Sequence, residues 1–268
     1  MPTKFDLPSV LAAGVQSREN AWSFIRGFAD AWMKPLRNGD GYGEAELNAA
    51  QERLGFELPL ALRQALALFG KRPDLSNTMH HLLPPDDLHY DSELLMFYSE
   101  NSGAWDCGIR YSNLSLEDPP TVLRPWCSHD NCVRGIPWFD KLSTACIALV
   151  LTESLYSDHN AFTLYGELLP DEIPMVGQRF LPAALPSSPA QHTKCFPKLR
   201  WYVGEDVIVS LNTYDKPIPM RNEALPGWTR DGMQAELYVR ARTHEALQSI
   251  RESLPAEWFN WRPVYGGG

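Results

Sequence analysis

The amino-acid sequence predicts an α+β fold, with a largely antiparallel sheet and helices packed on it. Three observations carry this expectation: apolar residues at helical spacing between Arg18 and Phe69, short β-rich runs divided by turn residues from Leu94 to Arg124, and a strand-helix finish between Glu236 and Leu254. Strands that follow one another through short turns pair antiparallel, whereas parallel neighbours need a long crossover between them.

Taken in order, Trp22, Ile25, Ala29 and Trp32 recur at helical spacing after Ser17, a residue type that caps helix N-termini, so a first helix is expected over Arg18 to Met33, ending before Pro35. The turn-rich NGDGYG, Asn38 to Gly43, breaks it. A second helix follows in EAELNAAQERLG, with Leu47, Ala50 and Leu54 on one face and Gly55 placed to end it. In FELPLALRQALALFG a third is expected, begun in its first turn by Pro59, buried along Leu62, Leu66 and Phe69, and stopped at Gly70. Beyond a proline-broken loop, HHLLPPDD, come three strands: Leu94 to Ser99, Trp105 to Tyr111 and Thr121 to Arg124. Phe97 and Ile109 are expected to point inward from the first two.

A strongly apolar helix is expected over Asp140 to Leu155, then a strand from Ala161 to Tyr165. PAALPSSPAQ, Pro182 to Gln191, has the composition of a linker or exposed loop. Further strands fall at Arg200 to Val203, Val207 to Leu211 and Glu236 to Ala241, and Thr243 begins a last helix with Leu247, Ile250 and Leu254 on one face. The aromatic tail Glu257 to Tyr265 is expected to fold back and cap that helix. The resulting division is a helical extension over 1–43, a core over 44–180, a proline-rich loop over 181–195, and a strand-helix region over 196–268 that completes the same domain.

Charge narrows the partners. With 24 Lys and Arg against 33 Asp and Glu, the net charge is −9, which argues against a nucleic-acid partner because phosphate backbones are held by clustered bases. No apolar run reaches the ~18 residues of a membrane-spanning helix, so no membrane partner is expected. Met1 to Gln16 lacks the charged leader and apolar run of a secretory signal. The cysteines, Cys107, Cys127, Cys132, Cys146 and Cys195, are odd in number, unlike a secreted disulfide scaffold. These features together point to the cytoplasm.

The negative charge is concentrated: Asp86, Asp87, Asp91, Glu93, Glu100, Asp106, Glu117 and Asp118 face one base, Arg110, in the same window. The bland reading is a solvated surface; the sharper one is an acidic face that steers a basic protein partner. On the sharper reading Asp86, Asp87, Asp91, Glu100, Trp105, Asp106 and Tyr111 form the partner-binding candidates, with Trp105 and Tyr111 as aromatic anchors. A Trp on a hairpin is nevertheless more often a core residue.

Catalytic and cofactor signals are thin. Cys127, His129 and Cys132, with Cys107 as a possible fourth, are the best metal candidates, but structural zinc sites usually come from two paired knuckles and this is a single irregular cluster. The His80, His81, Asp86, Asp87 and His89 loop shows none of the recurring metal spacings. There is no nucleophile elbow and no phosphate-binding loop, and Cys146 in its apolar helix should be inert. No cofactor and no enzyme activity are expected.

The succession Glu52-Arg53-Leu54-Gly55-Phe56-Glu57-Leu58-Pro59, then Leu62-Arg63-Gln64-Ala65-Leu66 and the turn at Gly70, resembles the opening helices of the SUKH superfamily. FYSENSGAWDCGI, Phe97 to Ile109, resembles that family's strand-turn-strand, Asp118-Pro119-Pro120-Thr121-Val122 its next strand, and Ala145 to Leu151 its following helix. The resemblance covers residues 44–165, and the Glu236 to Leu254 strand-helix is similar to what longer members carry. The first 40 residues and His192 to Pro226 have no counterpart. The resemblance implies a binding module without catalytic residues: in bacteria an immunity protein that blocks a polymorphic or secreted toxin, such as a nuclease with a basic cleft, and elsewhere a regulatory scaffold. A monomer or weak homodimer is expected, and a metal-dependent hydrolase is the distant alternative.

Overall fold

The structure, a computed structural model, describes residues 5–101, 103, 105–125, 135–157, 162–185, 198–216 and 232–259. It is α+β, with two sheets in which every pairing is antiparallel. Contacts divide the chain into two compact units: residues 15–157 with Phe5 form the described part of the first, and 6–14 with the described residues from 162 onward form the second.

In the first unit, α2 (Arg18–Trp32) starts as its cap dictates, Ser17 Oγ accepting from Asn20 N at 3.2 Å. Its buried stripe includes Phe24 and Phe28 beside the expected Trp22, Ile25, Ala29 and Trp32. Helix α3 (Glu44–Leu54) ends at Gly55, whose φ of 79° is the left-handed conformation that releases the chain toward α4 (Leu60–Phe69). Pro59 occupies the position before α4 instead of its first turn. A four-residue turn of helix, α5 (Pro73–Ser76), follows.

The proline-broken loop proves to be partly a sheet. His80–Leu82 forms β1, Pro85–Asp87 a 3₁₀ turn, and His89–Asp91 β2. Both strands are three residues long and lack the alternation that marks a strand in sequence; each exists by pairing with β3 (Leu94–Glu100). The sheet continues through β4 (Trp105–Arg110), β5 (Val122–Pro125) and β6 (Ile136–Pro137), in the order β1-β3-β4-β5-β6 with β2 also on β3. An irregularity between Met96 and Tyr98 breaks the β3 register at Phe97, and Phe97 and Ile109 are both fully buried. The apolar helix is α6 (Leu142–Tyr156), buried on all sides except Thr152 and packed by α2, α4 and α5.

In the second unit the order is β12-β7-β11-β10-β9-β8, built from β7 (Phe162–Leu168), β8 (Leu181–Pro182), β9 (Lys198–Gly204), β10 (Val207–Thr213), β11 (Ala235–Ala241) and β12 (Glu257–Phe259). One face of this sheet, carrying Leu164, Val209, Leu211, Leu237 and Val239, makes a core with Val176 of α7 (Ile173–Arg179) and Ile250 of α8 (His244–Ser253). Thr243 caps α8, its Oγ1 accepting from Ala246 N at 3.1 Å. Helix α1 (Leu7–Ala13) belongs to this unit and packs near β9.

One expectation changes here, and the contact units fall elsewhere than the expected segments. Of the tail Glu257 to Tyr265, expected to cap the last helix, Glu257–Phe259 is a strand paired with β7, because its extended backbone completes an otherwise open sheet edge, and the rest lies outside the described residues. The units also cut across the expected segments: α2 packs with α6 in the first unit, while α1 and β7 lie in the second.

Candidate functional site

The corner between α3 and α4 is held by side chains that the sequence places one helical turn apart or across the turn. Gln51 Oε1 accepts from Leu58 N at 3.0 Å and from Arg63 Nη1 at 3.1 Å, while Arg63 Nη2 donates to Asn48 Oδ1 at 2.8 Å and pairs with Glu44. Gly43 N donates to Glu46 Oε2 at 2.7 Å, closing the first turn of α3. Opposite this corner runs the loop after β4, which begins with a 3₁₀ turn at Tyr111–Asn113. Its position is set by backbone bonds: Tyr111 N donates to Glu93 O at 2.9 Å, and Ala61 N at the start of α4 donates to Glu117 O at 2.8 Å. The second bond satisfies an amide that α4 itself cannot.

Between corner and loop lies a groove of ≈ 780 Å³, with Gln51, Arg63 and Glu57 on one side and Tyr111, Leu116 and Glu117 on the other. Tyr111 is 65% exposed and Leu116 48%; among the described residues of this unit they are the large apolar side chains most open to solvent. Tyr111 is braced edge-on by Tyr90 at 5.6 Å, and Tyr90 by Phe56 at 5.5 Å, giving an aromatic step along the rim. Tyr90 Oη is buried without a hydrogen-bond partner among the described residues, and burial pushes its pKa up. At the other end Arg18 Nη1 donates to Glu117 Oε2 at 2.8 Å, an ion-paired bond that raises the guanidinium pKa further.

The expected partner-binding residues do not form one acidic face. Asp86 and Asp87 are exposed on the 3₁₀ turn, which Arg53 ties to α3 by donating to Pro85 O at 3.0 Å and Leu88 O at 2.6 Å. Asp91 and Asp106 instead share Arg124, a base just outside the acidic window, with Asp106 Oδ2 at 3.2 Å. The hydrogen bond from Arg124 holds the Asp91 carboxyl below the usual carboxylate range. Glu100 is half-buried at the end of β3, opposite His80. Asp118 is spent at the start of α6, accepting from Ser143 N at 2.9 Å and Ser143 Oγ at 2.6 Å. Trp105 is half-buried in an aromatic stack with His80 at 5.0 Å, Trp138 at 6.0 Å and Tyr98 at 6.2 Å, so it packs within the unit instead of standing free. Of the seven, Tyr111 alone lines the groove.

The metal candidates Cys127, His129 and Cys132 lie outside the described residues. Their suggested fourth member, Cys107, is buried on β4, where burial raises its pKa far above the usual thiol value, and Cys146 is pushed up for the same reason. No group of three or more His, Cys, Asp or Glu side chains among the described residues is arranged to hold a metal ion. The loop histidines diverge: His80 turns inward to Glu153, His81 Nδ1 meets Asn77 Oδ1, and His89 Nδ1 meets Asp87 O at 2.9 Å. In the second unit Glu236, Glu167 and Glu257 share one cross-strand row, with Tyr165 Oη donating to Glu167 at 2.8 Å.

Sequence reasoning singled out Tyr111 but missed Leu116, Phe56 and the Arg63 network. The available signal was the three apolar residues Tyr111, Leu114 and Leu116 in the loop stretch YSNLSLED, Tyr111 to Asp118. Comparison of the chain with protein families, curated proteins and solved structures finds no match.

Proposed function

We propose that this chain is a protein-binding module that works by occupying a partner, without chemistry of its own, and that the partner is a polymorphic or secreted toxin which it neutralises. The groove between the α3–α4 corner and the 111–117 loop is the contact surface. One observation carries the reading: Tyr111 and Leu116 stand exposed on the rim of a groove whose opposite wall is the Phe56 to Pro59 corner, part of the stretch that resembles the opening helices of the SUKH superfamily. A folded unit exposes two neighbouring large apolar side chains at an energetic cost, and the usual return is burial against a partner.

The test is co-expression of the full chain with the product of the gene immediately upstream of its own, scored by growth. Neutralisation requires that the neighbour be toxic alone, that the wild-type chain restore growth, and that the Tyr111→Ser, Leu116→Ser double variant fail to do so while keeping its fold by circular dichroism. A harmless neighbour, or rescue that survives the double variant, overturns the reading.

A further inference from the structure

The charges around the groove narrow the kind of partner segment it fits, an inference that rests on the protein-binding reading above. We propose that the groove takes a basic segment of the partner: an arginine or lysine side chain laid on Tyr111 and met by Glu57 and Glu93, with an adjoining apolar residue against Leu116.

The first support is that the bases at the groove are already engaged. Arg63 is held by Glu44, Asn48 and Gln51, and Arg18 by Glu117 and Glu19. An acidic ligand would have to displace one of these pairs to find a cation. The acids are in the opposite condition. Glu57 lines the groove and is exposed; Glu93, at the tip of the β2–β3 turn, is exposed and lends its carbonyl to Tyr111 N. Neither carboxylate has an ion-pair or hydrogen-bond partner among the described residues. Asp86 and Asp87, on the turn packed against α3, are exposed as well.

The second support is the aromatic step. Tyr111 is exposed yet braced through Tyr90 to Phe56, so its ring is held in place before any partner arrives. A fixed ring that shares a groove with an unpaired carboxylate suits guanidinium and ammonium groups, because the ring quadrupole and the anion attract the same charge. A second copy of this chain fits less well: it too carries a net −9, so its approach to a surface of unpaired acids is opposed by like charge.

The experiment uses the full chain and two end-blocked, fluorescein-labelled peptides that alternate leucine with arginine or leucine with citrulline, the latter keeping the shape of arginine without its charge. Anisotropy titrations at low and high salt are expected to show the arginine peptide binding tighter, with an advantage that shrinks as salt rises. Tyr111→Leu, which keeps an apolar side chain but removes the ring, should weaken the arginine peptide about two- to fivefold. The double variant Glu57→Gln, Glu93→Gln should shrink the difference between the peptides to the about two- to fivefold that the ring supplies, and Leu116→Ser should weaken both alike. Equal affinity for the two peptides, no binding of the arginine peptide, or an arginine preference undiminished in the double variant each overturn the proposal. So does a concentration-dependent dimer abolished by Leu116→Ser, which would make a second copy the occupant. The upstream gene product separates the two levels: capture lost in Leu116→Ser but intact in the Glu57→Gln, Glu93→Gln variant keeps the groove and removes the basic segment, whereas capture intact in both removes the groove as well.

Discussion

His80 Nδ1 lies 2.6 Å from Glu153 Oε1, and the Glu153 side chain is fully closed off from solvent. The same carboxylate accepts from Thr78 N at 2.6 Å, Met79 N at 3.0 Å and Tyr98 Oη at 3.2 Å, so it ties the entry to β1, and β3, to α6. A buried carboxylate held by two backbone amides, a tyrosine hydroxyl and an imidazole is fixed by them, and removing it leaves the two amides without an acceptor.

Glu153→Leu is therefore expected to destabilise the fold by about 3 kcal/mol, because it would leave the Thr78 and Met79 amides without their acceptor. Urea unfolding followed by fluorescence checks this, and a loss below about 1 kcal/mol would mean that the cluster is not a structural tie.

The Asp91–Arg124 pair predicts a small acid dependence. The bond to Arg124 lowers the folded-state pKa of Asp91, so the folded form binds fewer protons than the unfolded one across the range between the two values. The contribution is present at neutral pH and is lost as the pH falls below ~4. Since the Asp91 side chain is 45% exposed, solvent screening keeps it near about 0.5 kcal/mol. Asp91→Asn should lower the thermal midpoint slightly at pH 7 and converge with the wild type under acid. Parallel curves down to pH 3 would rule the linkage out.

Cys107 and Cys146 should be unreactive in the folded protein, since burial holds both as thiols at any physiological pH. Iodoacetamide at pH 8 is expected to leave both unlabelled by peptide mass spectrometry and to modify both in urea. Native-state labelling of either would show that β4 and α6 open readily.

Two glycines separate backbone strain from steric clash. A Cβ at Gly55 meets nothing within 4 Å, so Gly55→Ala should cost only the left-handed conformation, about 1 kcal/mol. At Gly41 the same Cβ would sit 1.8 Å from the carbonyl oxygen of Ala67, so Gly41→Ala must displace the loop from α4 and cost clearly more. Thermal unfolding of the two variants checks the order, and equal losses would refute it.

Much of the fold was legible because its determinants are local. Ser17, Gly55 and Thr243 mark helix ends through bonds within one turn, and the apolar periodicities of α2 and α4 are the faces found buried. The site was legible in fragments. Tyr111 was singled out for its aromatic ring, but it was grouped with Asp91 and Asp106, which Arg124 neutralises, and with Trp105, which packs among His80, Tyr98 and Trp138. Charge counted along the chain does not say which base arrives from the next strand.

The sequence by itself determined the α+β class, the positions of the main helices and long strands, and the α3–α4 corner, because periodicity, caps and turn residues act over a few positions. Only the tertiary structure decided that His80–Leu82, His89–Asp91 and Glu257–Phe259 are strands, that the chain forms two units, and that the 111–117 loop faces the corner to make a groove. Each of these depends on a partner far along the chain, through a backbone pairing or one bond such as Ala61 N to Glu117 O, and such partners leave no mark in the residues of either segment alone.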